Sequence, residues 1–280
     1  MSSIALLFRQ HPSRAKEMAV ASEYLPVYTQ RAAVPEGSLV VGRYSVLPHY
    51  RELETDLEIR GSRLINSAYG HEYIANADYL YDVAEHTFPS WFSLAEVPHR
   101  FRDKPLVVKG RTNSRKFQWD THMYAPDFQA AVRIGGELMQ DPLISEQGLL
   151  VRAYVPLETF EVGNQGMPMT NEWRVFFYRQ TVLAYGYYWG CLDDWTPVKA
   201  AQAEFETNGL PLARQLAETF SEQVDFFVLD LARTPDGRWL LVEANDGQMS
   251  GLNDTIDPDV LYGNLAKVLK GETHADAQSG

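Results

Sequence analysis

The sequence predicts an α/β N-terminal lobe followed by α+β lobes built on antiparallel sheets. Three observations carry this expectation. Short apolar runs alternate with helix-length segments through the first third, the β-α-β-α order of a parallel sheet. Later strand-like runs are joined by short turns, which suits antiparallel pairing. Between the two patterns, residues 89–98 crowd Pro and apolar side chains without periodicity and mark a seam. The expected division is a first lobe over 1–95, a larger domain over 96–272 and a small, polar, flexible tail over 273–280.

In the first lobe the apolar run 4–8 reads as a strand, and Pro12-Ser13 opens a helix over 14–24. A second buried strand covers 38–43, a helix 50–59 ends near Gly61, a third strand covers 63–66 and a further helix 76–85. In the remainder, strands are expected at 106–109, 149–155, 172–178, 182–189, 226–232 and 238–244. Helices are expected at 127–139, 212–223 and 259–269.

Composition narrows the function classes. The 280 residues carry a formal charge of −12, so nucleic-acid phosphates and anionic membranes are repelled and neither is an expected partner. The single cysteine, Cys191, excludes an internal disulfide and reads as a structural thiol. The apolar run at the start is cut short by Arg9, and no stretch reaches the roughly 20 apolar residues of a membrane span. A cytoplasmic protein is the expectation.

The strongest local signal is Thr234-Pro235-Asp236-Gly237, a turn between two apolar runs. With Asp236-Gly237 as a two-residue loop, Arg233 faces Leu240 and Asp230 faces Glu243. Asn245 then projects from the same face, two residues beyond Glu243. Opposed carboxylates repel unless a cation lies between them. Two acids and an amide side by side are hard oxygen donors suited to Mg2+, which leaves further positions to water and phosphate.

The Asp230…Glu243-x-Asn245 pair of strands resembles the metal-binding end of the ATP-grasp superfamily. Upstream, the same order of parts follows: a lysine ending a strand (PLVVKG, Lys109), a strand leading into a connection (LLVRAYVPLE), and a strand bearing an arginine (NEWRVFFYRQ, Arg174). Lys109, Arg152 and Arg174 together resemble the clade named for two arginines and a lysine. The resemblance spans residues 98–269 by motif. It implies ATP clamped between two α+β lobes with Mg2+, a carboxylate activated as an acylphosphate, and its transfer to an amine or similar nucleophile with release of ADP and phosphate. Two departures are visible: loop 110–116 is basic rather than glycine-rich, and Arg152 stands where many members carry a glutamate.

The resemblance also implies roles. Lys109 would reach the α- or β-phosphate as a mobile point charge. Ser114, Arg115 and Lys116 would attract the triphosphate or an anionic substrate, with Trp119, His122 and Tyr124 near the acceptor. Tyr154 and Val155 would hold the adenine edge, and Glu158, or else Glu161, the ribose. Arg174 would stabilise the transferring phosphoryl group. Arg152 would hold a phosphate or the substrate carboxylate, or pair with Glu172. The loop 245–251 would present backbone amides to the acylphosphate. The expected partners are ATP, a small-molecule or peptide carboxylate, and an amine acceptor. A phosphotransferase on the same scaffold and a non-catalytic nucleotide-binding module are the alternatives.

Overall fold

The computed structural model describes residues 3–276. The first lobe comprises β1 (Ile4–Phe8), α1 (Ala15–Tyr24), β2 (Val27–Tyr28), β3 (Leu39–Arg43), α2 (Tyr50–Glu58), β4 (Arg63–Leu64), α3 (Ala68–Ala75) and α4 (Tyr79–Asp82). Its four strands are all parallel, in the order β2-β1-β3-β4. Period-2 alternation decides which layer each residue joins. Ala5, Leu7 and Val40 pack on Leu53 and Leu57 of α2. Leu6, Phe8 and Val41 pack on α1 and the C-terminal helix.

In this lobe one helix differs from expectation. The segment expected as a helix over 76–85 is split. Ser67 caps α3 by accepting a hydrogen bond from the Gly70 amide at 3.1 Å, eight residues earlier than the expected start. Ala77 then takes a left-handed backbone (φ 60°) and ends that helical path before the single turn of α4.

A second, antiparallel sheet follows: β5 (Ser90–Trp91), β6 (Leu106–Gly110), α5 (Trp119–His122), β7 (Tyr124–Ala125), α6 (Phe128–Leu138), α7 (Pro142–Gln147) and β8 (Leu149–Ala153), ordered β5-β8-β6-β7. Strand β5 lies before the expected division at 95/96 yet pairs with β8. Asp127 and Asp141 cap α6 and α7 with their side chains. Leu106, Val108 and Val151 face Ala131, Ile134 and Leu138 of α6. The alternate residues Val107, Lys109 and Arg152 are thereby turned to the opposite face.

The third layer comprises β9 (Thr159–Val162), β10 (Pro168–Thr170), β11 (Glu172–Tyr178), β12 (Thr181–Tyr187), α8 (Thr196–Glu204), α9 (Leu210–Phe220), β13 (Phe226–Arg233), β14 (Trp239–Asp246) and α10 (Pro258–Asp276). Strands β9 and β10 form a separate hairpin, and the large sheet runs β12-β11-β13-β14, antiparallel throughout. Trp173, Val175, Phe177, Phe227 and Leu229 bury against α9. On the other face, Phe176, Phe226 and Val228 bury against Leu261, Tyr262 and Leu265 of α10. Two residues along from Phe176 and Val228, that same face turns polar with Arg174 and Asp230. Helix α10 continues to Asp276, so the first part of the expected tail is helical; residues 277–280 lie outside the described residues. Among the described residues no helix is long and apolar enough to cross a membrane.

Candidate functional site

The turn between β13 and β14 is one residue longer than expected. The Thr234 amide donates to the Arg238 carbonyl at 2.8 Å, so Pro235, Asp236 and Gly237 form the loop, with Gly237 at φ 89°. Arg233 consequently faces Trp239 rather than Leu240. The register then shifts between Asp230 and Leu231, where Val242 is bulged out of the pairing. The extra turn residue and the bulge cancel, and Asp230 does stand opposite Glu243.

Arg174 of β11 stands opposite Asp230 on its other side. Three strands therefore present a row: Arg174, Asp230, Glu243. Arg174 holds Asp230 through a two-pronged fork, Nε to Oδ1 at 2.8 Å and Nη2 to Oδ2 at 2.7 Å, and its Nη1 donates to the Gly251 carbonyl at 3.2 Å. The Asn245 side-chain amide donates to Asp230 Oδ2 at 3.3 Å. From the facing sheet, Lys109 at the end of β6 pairs with Glu243. Each carboxylate thus has its own cation. Burial acts to raise the Glu243 carboxyl, but Lys109, then Arg152 and Arg174, hold it below its ordinary value. Burial pushes the Asp230 carboxyl up against the pull of Arg174.

Asp230 and Glu243 of the row line a cleft of about 150 Å³ between the two antiparallel sheets; Arg174 and Asn245 are not among its lining residues. Its apolar lining includes Val107, Met123, Val155, Leu157 and Met167. Its charged lining is Lys109, Lys116, Arg152, Glu172, Asp230 and Glu243. Arg152 is 5% exposed. Its Nη1 donates to the carbonyl of the bulged Val242, while Nε and Nη2 are buried with no hydrogen-bond partner. Two buried guanidinium donors left unpaired are costly and mark a place for an anion. The alternative pairing of Arg152 with Glu172 is not made; Glu172 instead accepts from Thr170 Oγ1 at 3.1 Å.

The sequence-expected residues divide. Ser114, Lys116, Tyr154 and Val155 line the cleft with Lys109 and Arg152. Arg115 does not: it is half-exposed and pairs with Asp141 at the start of α7. Glu158 does not line it either. Its Oε2 accepts from Arg233 Nη1 and Asn171 Nδ2, both at 2.9 Å, because the residues around it, Leu157 and Thr159, take the cleft side. Glu161 caps the Asp193 amide at 3.0 Å. Trp119 lines the cleft, Tyr124 packs on Trp119 and Tyr154 behind it, and His122 lies 3.9 Å from Glu137. Cys191, expected to be structural, is exposed. In loop 245–251, the Gln248 amide is tied to the Asp246 carboxylate at 2.9 Å and the Met249 and Ser250 amides to the Asp246 carbonyl, so these three are already satisfied.

Three contributors were not anticipated as site residues: Glu172, Tyr188 and Trp189. Lys116 Nζ donates to Tyr188 Oη at 2.6 Å and sits 5.0 Å from the Trp189 ring centre. The Arg174 guanidinium lies 4.8 Å from the Tyr188 ring centre. Burial, reinforced by the Asp230 charge, raises the Glu172 carboxyl to about 8. The signal for Glu172 was present in the sequence, since it precedes Arg174 by two residues and shares its face of β11.

Asp230, Glu243 and Asn245 fit a hard divalent cation by donor type: two carboxylates and an amide, all oxygen. Among the described residues no three His, Cys, Asp or Glu side chains group around one point, so any such ion would depend on water and phosphate oxygens for the rest of its ligands.

Solved structures share this fold. D-cycloserine synthetase DcsG matches 95% of this chain and 100% of its own, at 15% identity and a TM-score of 0.56. D-alanine–D-alanine ligase from Bacillus anthracis matches both chains over 100%, at 10% identity and a TM-score of 0.59. The ATP-grasp ligase PsnB, complexed with a phosphomimetic variant of a minimal precursor, Mg and ADP, matches 95% of this chain and 96% of its own, at 10% identity and a TM-score of 0.55. At these identities the likeness is one of fold. No curated protein matches the chain in sequence. The family model that matches, over residues 97–265, is that of an ATP-grasp domain, family 3 of the clade named for two arginines and a lysine, and the chain accordingly belongs to that family of ATP-grasp proteins.

Proposed function

We propose that the protein is a Mg-ATP-dependent ligase that activates a carboxylate as an acylphosphate and joins it to an amine. The observation that carries this reading is the charged row facing Arg152. Asp230 and Glu243 lie side by side, flanked by Arg174 on the same sheet and by Lys109 from the facing sheet, and two unpaired Arg152 donors line the same cleft. That arrangement supports a triphosphate lying beside these charges with its adenine against the apolar and aromatic lining, Tyr154, Val155 and Met167.

On this reading the substrate carboxylate oxygen attacks the γ-phosphorus, the bond from that phosphorus to the β–γ bridging oxygen breaks, and ADP leaves. Arg174 holds the transferring group and Lys109 the neighbouring phosphate. Arg152 orients the acid through its free donors. The amine nitrogen then attacks the acyl carbon, loses a proton, and inorganic phosphate departs. No protein nucleophile is needed. Asp230, Glu243 and Asn245 would hold Mg2+, which supplies countercharge to the phosphate oxygens when bound. The name of one structural relative, a D-alanine–D-alanine ligase, favours an amine acceptor over a hydroxyl.

The test is calorimetric titration of the protein with ATP, with and without Mg2+, beside Glu243→Ala. Micromolar binding that requires Mg2+ and disappears in the variant is expected, followed by trapping of the acylphosphate with hydroxylamine in a screen of acids. A folded protein giving no heat at millimolar Mg-ATP sinks the reading.

A further inference from the structure

A second hollow, of about 310 Å³, opens at the carboxyl ends of the parallel strands in the first lobe. Phe8 and Arg9 come from the end of β1, Thr29 follows β2, and Tyr44 and Val46 follow β3. The strand order β2-β1-β3-β4 means that the chain leaves β1 toward one edge and returns on its other side at β3. In open parallel sheets such a reversal leaves a crevice beyond the strand ends, and ligands bind there.

The lining is cationic in a chain of net charge −12. Arg9 is exposed and, among the described residues, has no carboxylate partner. Arg31 reaches Asp56 at 2.8 Å and is also held by the Tyr44 hydroxyl; with side chains 40% and 56% exposed, the ion pair contributes little. Thr29 and Tyr44 add hydroxyl donors over a floor of Phe8 and Val46. Two guanidinium groups above hydroxyls suit an oxyanion, either carboxylate or phosphate.

One loop runs from the apolar cluster under the hollow to Arg174. Met249 packs against the apolar cluster containing Val46 and Tyr44. Two residues on, the Gly251 carbonyl accepts from Arg174. Two residues of chain span at most about 7 Å. The Gly42 amide also donates to Gln248 Oε1 at 3.0 Å, fastening that loop to β3.

We propose that this hollow is an oxyanion site for the acid substrate, so that the substrate carries a second carboxylate or a phosphate beyond the carboxylate that is activated. The assignment of the ligand to the acid substrate rests on the ligase reading above; the anion site itself does not. The test follows backbone amide resonances of the full chain, saturated with Mg2+ and a non-hydrolysable ATP analogue, during titration with inorganic phosphate and with succinate at constant ionic strength. Saturable shifts at residues 9, 29, 31 and 44–46 are expected, with affinity at least tenfold weaker in Arg9→Gln and analogue binding unchanged. Saturation by phosphate alone assigns a phosphorylated acid, and by succinate alone a diacid. No saturation by either anion, equal affinity in Arg9→Gln and in Arg9→Gln/Arg31→Gln, or shifts confined to the cleft overturns the site. A chain that binds oxyanions here but fails to bind the analogue loses the ligase reading and keeps the site.

Discussion

Arg174 and Asp230 face each other across neighbouring strands and share two hydrogen bonds of 2.8 and 2.7 Å, with Asp230 almost wholly buried. A carboxylate so placed depends on its fork for charge balance, because Glu243 and Glu172 stand nearby. Arg174→Ala is expected to lower stability by about 3–5 kcal/mol, the cost of leaving a buried charge unpaired. The double variant Arg174→Met/Asp230→Leu should lose much less than the two single variants together. Urea unfolding of the four proteins measures this, and additive losses would count against a coupled pair.

Glu172 ties stability to pH. Its folded value of about 8 lies above the ordinary 4.5, so between those limits the folded chain binds more protons than the unfolded chain. Stability therefore falls as pH rises through that window, with a slope of at most about 1.4 kcal/mol per pH unit from this group. Glu172→Gln should flatten the profile between pH 5 and 8 and leave the mutant relatively more stable at the alkaline end. Unfolding midpoints across that range decide it; parallel profiles would refute it.

Glu17 works in the opposite sense. Burial would raise it, but Arg43, joined by Tyr262 and Arg14, holds it at about 2 against an ordinary 4.5. Arg43 is fully buried and also donates to the Gly247 carbonyl. The stability Glu17 contributes is present above pH 4.5 and is lost as pH falls through about 2. Glu17→Gln should be about 3 kcal/mol less stable at pH 7, since a buried guanidinium loses its counter-ion. It should also lose less on acidification than the parent, which acid titration followed by circular dichroism would show.

Much of the fold and part of the site are legible in the sequence. Strand β11 can be placed over its full length, because Glu172 to Tyr178 alternate between two buried faces. The Asp230–Glu243 pairing follows even from the wrong turn, since a three-residue loop and a bulge at Val242 offset each other, and bulges leave no mark in the hydrophobic pattern. Arg115 and Glu158 are misplaced by sequence because long polar side chains can follow either of two nearby partners, and only the folded neighbourhood shows Asp141 and Arg233 to be closer at hand. Tyr188 and Trp189 are hidden among other aromatic residues whose usual employment is packing. The split of the helix around Ala77 rests on a left-handed residue that carries no glycine or asparagine to announce it.

The cleft keeps its own ions paired, Lys109 with Glu243 and Arg174 with Asp230. Under the proposed chemistry, loading the site is therefore a double displacement rather than a filling of empty seats. A metal arriving alone would strip both acids from their cations and strand those cations in a buried wall. A nucleotide arriving alone would draw the cations away and strand the acids. Arriving together, each newcomer takes up what the other releases, so metal and nucleotide should strengthen one another's binding by the same factor. The unliganded protein would then discriminate against free metal and free nucleotide alike, and favour the two as a pair.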